Sequence, residues 1–291
     1  MLKNIFICPD CSSSKKEWDL KVKNDKEIFC PNCNRKFYMN DSFIDLLPTK
    51  PTRLGSKVMS IYKEYYIAQF GVKPHKQFKD PVAWGEQRYI PKGDAIFLDE
   101  EGKLVRNNYS RGREVYCDIS GSQGNLAFEA SNHFRNVYLC DINLEYLQMA
   151  MGKAKKLNIK NIIFVRSDYF SVPFRKSSID TCVSTDSFLY YGVDSDIRVI
   201  KSIFERLTDK GILLFDLHNR KFYSPASRII EYTRREYELL KKIFKNIIFV
   251  PLGRVPTIFT KNHFLFKLTS CLSFMPPIRY FCILEKNQKD C

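Results

Sequence analysis

Val115 to Asn143 reads VYCDISGSQGNLAFEASNHFRNVYLCDIN. Two short apolar runs each end in an acid, and between them a Gly/Ser turn leads into an amphipathic segment. Runs of this length bounded by turn residues predict strands, and the spacing between them predicts a helix, so the stretch is one βαβ unit. Its polar groups fall at the carboxyl ends of two parallel strands, which border the crevice where open α/β sheets bind ligands.

The residue types of the turn carry a chemistry. Gly121 and Gly124 allow close backbone approach to a ligand, and the following helix start offers unpaired N–H groups to an anion. Asp141 ends the second strand, and a carboxylate accepts two hydrogen bonds side by side, which suits a pair of ribose hydroxyls. Taken alone, the loop serves equally well as a structural βα turn.

The pattern then repeats. Asn161 to Asp168 (NIIFVRSD), Ile179 to Ser184 (IDTCVS) and Gly211 to Asp216 (GILLFD) are three further strands, with a helical segment between each pair. In this ordered series the chain resembles the class I S-adenosylmethionine-dependent methyltransferases, over about 113–286. SDYFSVPF is similar to that family's third-strand motif, TDKGILLFDLHNR to its turn into the fifth strand, and YTRREYELLKKIFKNIIFVPLG to a helix and sixth strand. The closing RYFCILEK resembles the seventh strand, which pairs antiparallel beside the sixth. The fold class implied is α/β: a seven-stranded Rossmann-like sheet, mostly parallel with the last strand antiparallel. The resemblance places Asp118, Gly121 and Gly124 on the methionine end of the cofactor, Asp141 on the ribose and Asp168 on the adenine amino group. It implies Ser120, Ile142, Tyr169 and Thr185 as further cofactor-binding residues.

One departure stands out. The family loop has glycine two, four and six residues after the first acid; here those places hold Ser120, Ser122 and Gly124, with Gly121 displaced by one. Serine tolerates positive φ less well than glycine.

The N-terminus carries a second signal. Cys8-Pro-Asp-Cys11 and Cys30-Pro-Asn-Cys33 are two CxxC knuckles separated by 18 residues, close to the spacing of a zinc site. Two knuckles complete a tetrahedral shell of four thiolates with no open position, so the expected zinc is structural. About 45 residues do not readily make a stable core alone, and a metal supplies what is missing. The run that follows, RKFYMNDSFIDLLP, resembles the end of Trm112-like zinc-ribbon modules and of the ribbon of bacterial ribosomal-RNA guanine methyltransferases. In the latter the last ligand is commonly histidine, where this chain has Cys33. Cys117, Cys140 and Cys182 fall inside predicted strands, as small buried hydrophobes.

The expected division is a zinc ribbon at 1–48, a linker and helical cap or insertion at 49–112, and a methyltransferase domain at 113–291. VMSIYKEYYIAQF has helical spacing and either closes over the cofactor, as in similar small-molecule enzymes, or packs on the sheet edge. The loop after the fourth strand faces the transferable methyl in the family pattern, which makes Asp186, Tyr190 and Tyr191 substrate-side candidates, with loop packing as the alternative. His218 is the best placed of the four histidines for a general base, since imidazole titrates near neutrality.

Charge bears on partners. The net charge is +15, and residues 220–291 hold 14 basic against 5 acidic groups. Clustered charge of this kind attracts RNA, anionic membrane surfaces or phosphate-bearing substrates, although a lysine-rich composition gives the same excess without any partner. The aromatic stretch Phe259 to Phe281, with Lys261, Lys267 and Arg279, fits an acceptor lid or a peripheral membrane contact. No uninterrupted apolar run approaches the roughly 18 residues of a spanning helix, so a cytoplasmic location is expected. The leading function is methyl transfer from S-adenosylmethionine to a small or carrier-linked acceptor. RNA is the alternative acceptor, and a non-catalytic scaffold is the alternative from another class, motivated by the altered loop.

Overall fold

The computed structural model describes residues 5–12, 16–50, 114–185, 187–188, 192–218, 234–252 and 279–286. All but residues 49–50 of the expected linker and cap at 49–112, the candidates Asp186, Tyr190 and Tyr191, and most of the aromatic stretch 259–281 lie outside them.

In chain order the strands are β1 (Lys21–Asn24), β2 (Glu27–Phe29), β3 (Lys36–Tyr38), β4 (Phe43–Asp45), β5 (Val115–Ile119), β6 (Asn136–Asp141), β7 (Ile162–Arg166), β8 (Ile179–Ser184), β9 (Leu207–His218), β10 (Ile247–Leu252) and β11 (Arg279–Glu285). The helices are α1 (Asn125–Ala130), α2 (Leu144–Lys156), α3 (Val193–Arg206) and α4 (Arg234–Ile243). The large sheet has the order β10-β11-β9-β8-β5-β6-β7-β4. Strands β5 to β9 pair in parallel, while β11 is antiparallel to both of its neighbours. The seven strands expected from the sequence are therefore present, with the antiparallel closure in place.

An eighth strand comes from the N-terminal segment. β4 pairs in parallel with β7, Phe43 opposite Phe164 and Asp45 opposite Arg166. Phe164 N–H donates to the Ser42 carbonyl at 2.7 Å and Leu46 N–H to that of Arg166 at 2.8 Å. The cysteine-bearing segment thus has its own small antiparallel sheet, β1-β2-β3, and also contributes an edge to the main one.

Burial on both faces explains the near-continuous apolar strands. On one face Val137, Leu139, Ile162 and Leu214 pack with Ala127 and Phe128 of α1 and Leu147, Ala150 and Ala154 of α2. The other face holds Cys117, Cys140, Cys182, Leu213 and Phe215, covered by Val199, Ile200 and Ile203 of α3, Leu240 of α4 and the N-terminal segment. The cysteines are small buried groups there, with Cys117 and Cys140 sulfurs 3.7 Å apart.

Local chemistry sets the helix limits. Asn143 caps α2 by accepting from Glu145 N–H at 2.9 Å, and Asn158 beyond its end takes φ 54°, a conformation asparagine tolerates. The buried Lys286 ammonium donates to the Glu205 and Leu207 carbonyls at 3.2 and 2.8 Å, neutralising the negative end of α3. No helix among the described residues is long and apolar enough to cross a membrane.

Candidate cofactor site and metal centre

Three acids end three adjacent parallel strands. Asp118 lies one residue before the end of β5, Asp141 ends β6, and Asp168 lies two residues beyond β7. Asp118 and Asp168 are buried and Asp141 is half-buried. The backbone fixes their relation: Ser167 N–H donates to the Asp141 carbonyl at 3.0 Å. Asp168 itself begins a short 3₁₀ turn (Tyr169–Ser171), accepting from Phe170 N–H at 3.0 Å.

The loop between Asp118 and α1 resolves the departure noted in the sequence. Ser120 and Ser122 take φ 59° and 52°, and Gly124 takes φ 79°. The left-handed positions are therefore two, four and six residues after the acid, with serine standing at two of them. Gly121 serves another need: a Cβ there would fall 2.4 Å from Leu139 Cδ1 and 2.5 Å from Asp118 Cγ. It lets the loop lie on the carboxylate, with its N–H donating to Cys140 C=O at 3.1 Å. Gly124 N–H then closes onto Gly121 C=O at 2.8 Å and α1 begins.

Left-handed serine costs on the order of 1 kcal/mol relative to a relaxed residue. Ser120→Gly and Ser122→Gly are each expected to raise stability by up to about 0.5 kcal/mol after the entropy of glycine is counted. Gly124→Ala should lower it by more than either gain, because a Cβ there would also meet Leu139 Cδ2 at 2.5 Å. Urea denaturation of the three variants reads both signs.

Electrostatics concentrate at the first two acids. Burial pushes the Asp118 carboxyl up to about 7; the Ala127 N–H opposes this and the nearby Asp141 charge adds to it. Burial likewise raises Asp141 to about 6, against N–H donors from Asn143, Ser122 and Ile142. Ser122 and Asn143 donate to its two oxygens at 2.8 Å each, so Asp141 clasps the loop. Each carboxylate oxygen has a second lone pair for a ligand.

Between about pH 4 and 7 the folded chain holds a proton on Asp118 that the unfolded chain has lost, so this group's contribution to stability falls as pH rises through that window. The full shift corresponds to something on the order of 4 kcal/mol. Asp118→Asn should flatten the fall in unfolding free energy between about pH 4 and 7; an unchanged slope would place the titration elsewhere.

The remaining candidates are placed unevenly. Ile142 follows Asp141, with its carbonyl accepting from Arg166 Nε at 3.4 Å. The Tyr169 ring lies 4.4 Å from Phe170 and 6.3 Å from the buried Phe188. Thr185 follows β8, and its carbonyl accepts from Ser187 Oγ at 3.0 Å. The backbone of His218 ends β9, opposite Arg279, while its side chain lies outside the described residues. Two groups were not singled out in the sequence. Gln123 is buried within the loop, and Ser184, fully buried at the end of β8, has a hydroxyl oxygen without a hydrogen-bond partner among the described residues. A small polar residue ending an apolar strand was the only signal for Ser184.

Residues 117–211 match the family described as methyltransferase domain. That span begins on β5 and ends within β9, so it takes in the loop and all three acids. A curated relative, the ubiquinone/menaquinone biosynthesis C-methyltransferase of Wigglesworthia glossinidia brevipalpis, is 23% identical over 168 residues, 56% of this chain. The match spans 61% of that relative's length. Among solved structures, the magnesium protoporphyrin IX methyltransferase of Synechocystis with bound S-adenosylhomocysteine superposes with a TM-score of 0.51 at 13% identity. It covers 79% of this chain and the whole of that one. The α/β sheet is thus of the methyltransferase fold.

At the N-terminus the Sγ atoms of Cys8, Cys11, Cys30 and Cys33 all lie within 4.8 Å of one another, those of Cys8 and Cys33 being 3.9 Å apart. Four thiolates around zinc at about 2.3 Å stand about 3.8 Å apart, so the donor set fits the ion. Each knuckle is a hydrogen-bonded turn, with Ser12 N–H on the Cys8 carbonyl and Asn34 N–H on that of Cys30, at 3.0 and 2.9 Å. Asp10, inside the first knuckle, bonds Arg35, beside the second, and accepts from Thr49 N–H and Oγ1 at 2.8 and 2.9 Å. Partial burial would raise the Asp10 carboxyl, but the Arg35 and Thr49 hydrogen bonds hold it below its ordinary value.

Proposed function

We propose that the chain transfers the methyl group of S-adenosylmethionine to a small or carrier-linked acceptor. The observation that carries this is the placement of Asp118, Asp141 and Asp168 at the carboxyl ends of β5, β6 and β7, around a loop with three left-handed positions. Asp141 would hold the ribose hydroxyls, with Ile142 beside it. Asp168 and Tyr169 would take the adenine, and Thr185 the edge towards the acceptor. Asp118, Ser120, Gly121 and Gly124 would take the methionine end, where an ammonium group stabilises the charged form of Asp118.

The bound cofactor supplies a sulfonium whose methyl carbon is electrophilic. The chain's own contribution is alignment of that carbon with an acceptor nucleophile, and positioning of this kind supplies much of the acceleration without a strong base. Asp186, Tyr190 and His218 are retained as acceptor-side candidates, His218 for removing a proton. The curated relative is named for ubiquinone/menaquinone biosynthesis, a small-molecule context that supports this class without selecting a member. Calorimetric titration with S-adenosylhomocysteine, followed by a screen with isotopically labelled S-adenosylmethionine, tests the reading; no binding at millimolar ligand would overturn it.

Four-thiolate geometry supports a structural zinc ion held by Cys8, Cys11, Cys30 and Cys33. It also supports reading 1–48 as a zinc ribbon fused through β4 to the methyltransferase domain at 113–291, with 49–112 between them. RNA as acceptor has the basic 220–291 segment in its favour; such binding would fall steeply with added salt. The scaffold alternative loses its motive, since the altered loop keeps its left-handed backbone at Ser120 and Ser122.

A further inference from the structure

The first zinc knuckle touches the segment that follows the third acid. Ser171 Oγ donates to the Pro9 carbonyl at 2.9 Å, across a sequence distance of 162 residues. Ile7 N–H donates to Pro173 C=O at 3.0 Å and Arg175 N–H to Ile5 C=O at 2.8 Å, and Phe6 bridges Phe174 in antiparallel fashion. The Phe6 ring packs 5.2 Å from Phe174 and 5.6 Å from Tyr138. On the other side, Asp168 caps the turn that ends at Ser171, whose N–H donates to the Asp168 carbonyl at 2.8 Å. One short turn is therefore pinned at its start by the acid and at its end by the knuckle. A cavity of about 180 Å³ lies beside this seam, lined by Cys8, Pro9, Ser12, Phe170, Ser171 and Arg206 among others, so the turn has room to shift if the knuckle lets go.

We propose that Ser171 is a positioning residue through which the zinc knuckle holds the adenine side of the cofactor pocket, so that zinc and cofactor bind cooperatively. The inference rests on the cofactor reading above. Zinc closes Cys8–Cys11 onto Cys30–Cys33 and fixes the Pro9 carbonyl; the fixed carbonyl holds the Ser171 hydroxyl and, through the turn, Asp168. With the knuckle open, the turn must be ordered by the cofactor itself, which lowers affinity. Coupling between two binding sites is reciprocal, so the cofactor must tighten zinc by the same factor.

The test is a four-way calorimetric comparison of S-adenosylhomocysteine affinity: full-length wild type and Ser171→Ala, each zinc-loaded and zinc-stripped. Circular dichroism reports whether the large sheet persists. Wild type should lose about tenfold in affinity on zinc removal. The variant should lose several-fold when zinc-loaded and little more when stripped, because the link is already cut. Competition of the wild type and Ser171→Ala against a chromogenic zinc chelator, with and without S-adenosylhomocysteine, gives the reciprocal reading; if stripped protein unfolds, the ligand shifts both midpoints, and the coupling is the larger shift in the wild type. A chelator midpoint that ligand does not move overturns the proposal, as does a variant as zinc-sensitive as the wild type. Zinc-loaded wild type that binds no S-adenosylhomocysteine would remove the cofactor reading and this proposal together, whereas binding indifferent to zinc removes this one alone.

Discussion

Replacing Asp141 by alanine is expected to weaken S-adenosylhomocysteine binding by about 100-fold or more. Two hydrogen bonds from ribose hydroxyls to a carboxylate are each worth roughly 1.5–3 kcal/mol, and every 1.4 kcal/mol or so is tenfold in affinity. The structure adds a second loss. Asp141 holds Ser122 N–H and Asn143 N–H at 2.8 Å each, so alanine also frees the loop carrying the left-handed serines. Asp141→Asn separates the two effects. Its amide oxygen keeps one acceptor and can hold one of the N–H groups, so a loss closer to tenfold is expected, with the loop largely in place. Acidity adds a further check. The Asp141 carboxyl lies near 6 and the Asp118 carboxyl near 7 without ligand, and the ligand favours both in charged form. Affinity should therefore rise with pH from about 5 and level off above about 7, with proton release measurable in buffers of different ionisation enthalpy. Wild-type affinity in the alanine variant would move the ribose away from Asp141.

The strands of the large sheet were legible because each apolar run is long enough to show a limit at both ends and closes on a polar residue, as NVYLCD does at β6. The same reading could not find β4. Phe43–Asp45 is three residues long, too short to show a period, and what fixes it is β7, far along the chain. The seam between Phe6 and Phe174 is non-local in the same way. The loop illustrates a different limit. Its sequence pointed to a displaced glycine, yet the backbone kept its left-handed positions and placed serine in them, leaving Gly121 to make room for the Asp118 carboxylate. Residue type alone does not distinguish a glycine needed for φ from one needed for space. β9 shows a boundary shift of similar origin: it starts at Leu207, ahead of the expected Gly211, because β8 pairs with it across a bulge between Leu207 and Ile212.

Removing zinc is expected to unfold the β1-β2-β3 sheet and to lower the melting temperature of the rest by roughly 5–10 °C. Structural zinc in small modules is bound with about 10–16 kcal/mol, and that free energy is also folding free energy. The module has little else to draw on: its strands run three or four residues, and its few buried side chains, among them Leu20, Ile28, Phe37 and Met39, belong to the same buried cluster as Cys8 and Cys30. The effect reaches the large sheet because Phe6 and Leu46 belong to the same buried cluster as Tyr138 and Phe174. A loss of about 2–3 kcal/mol there corresponds to a shift of that size in a chain of this length. Cys30→Ser should reproduce the chelator, since Cys30 is fully buried and serine is a poor zinc ligand. Cys182→Ala provides the contrast: its sulfur lies in the sheet core, so stability should fall while zinc remains at one ion per chain. Metal analysis together with thermal unfolding separates the two variants. A folded protein purified with no zinc, or a Cys30→Ser variant that retains its full zinc content, would show that the four thiols do not form a metal centre.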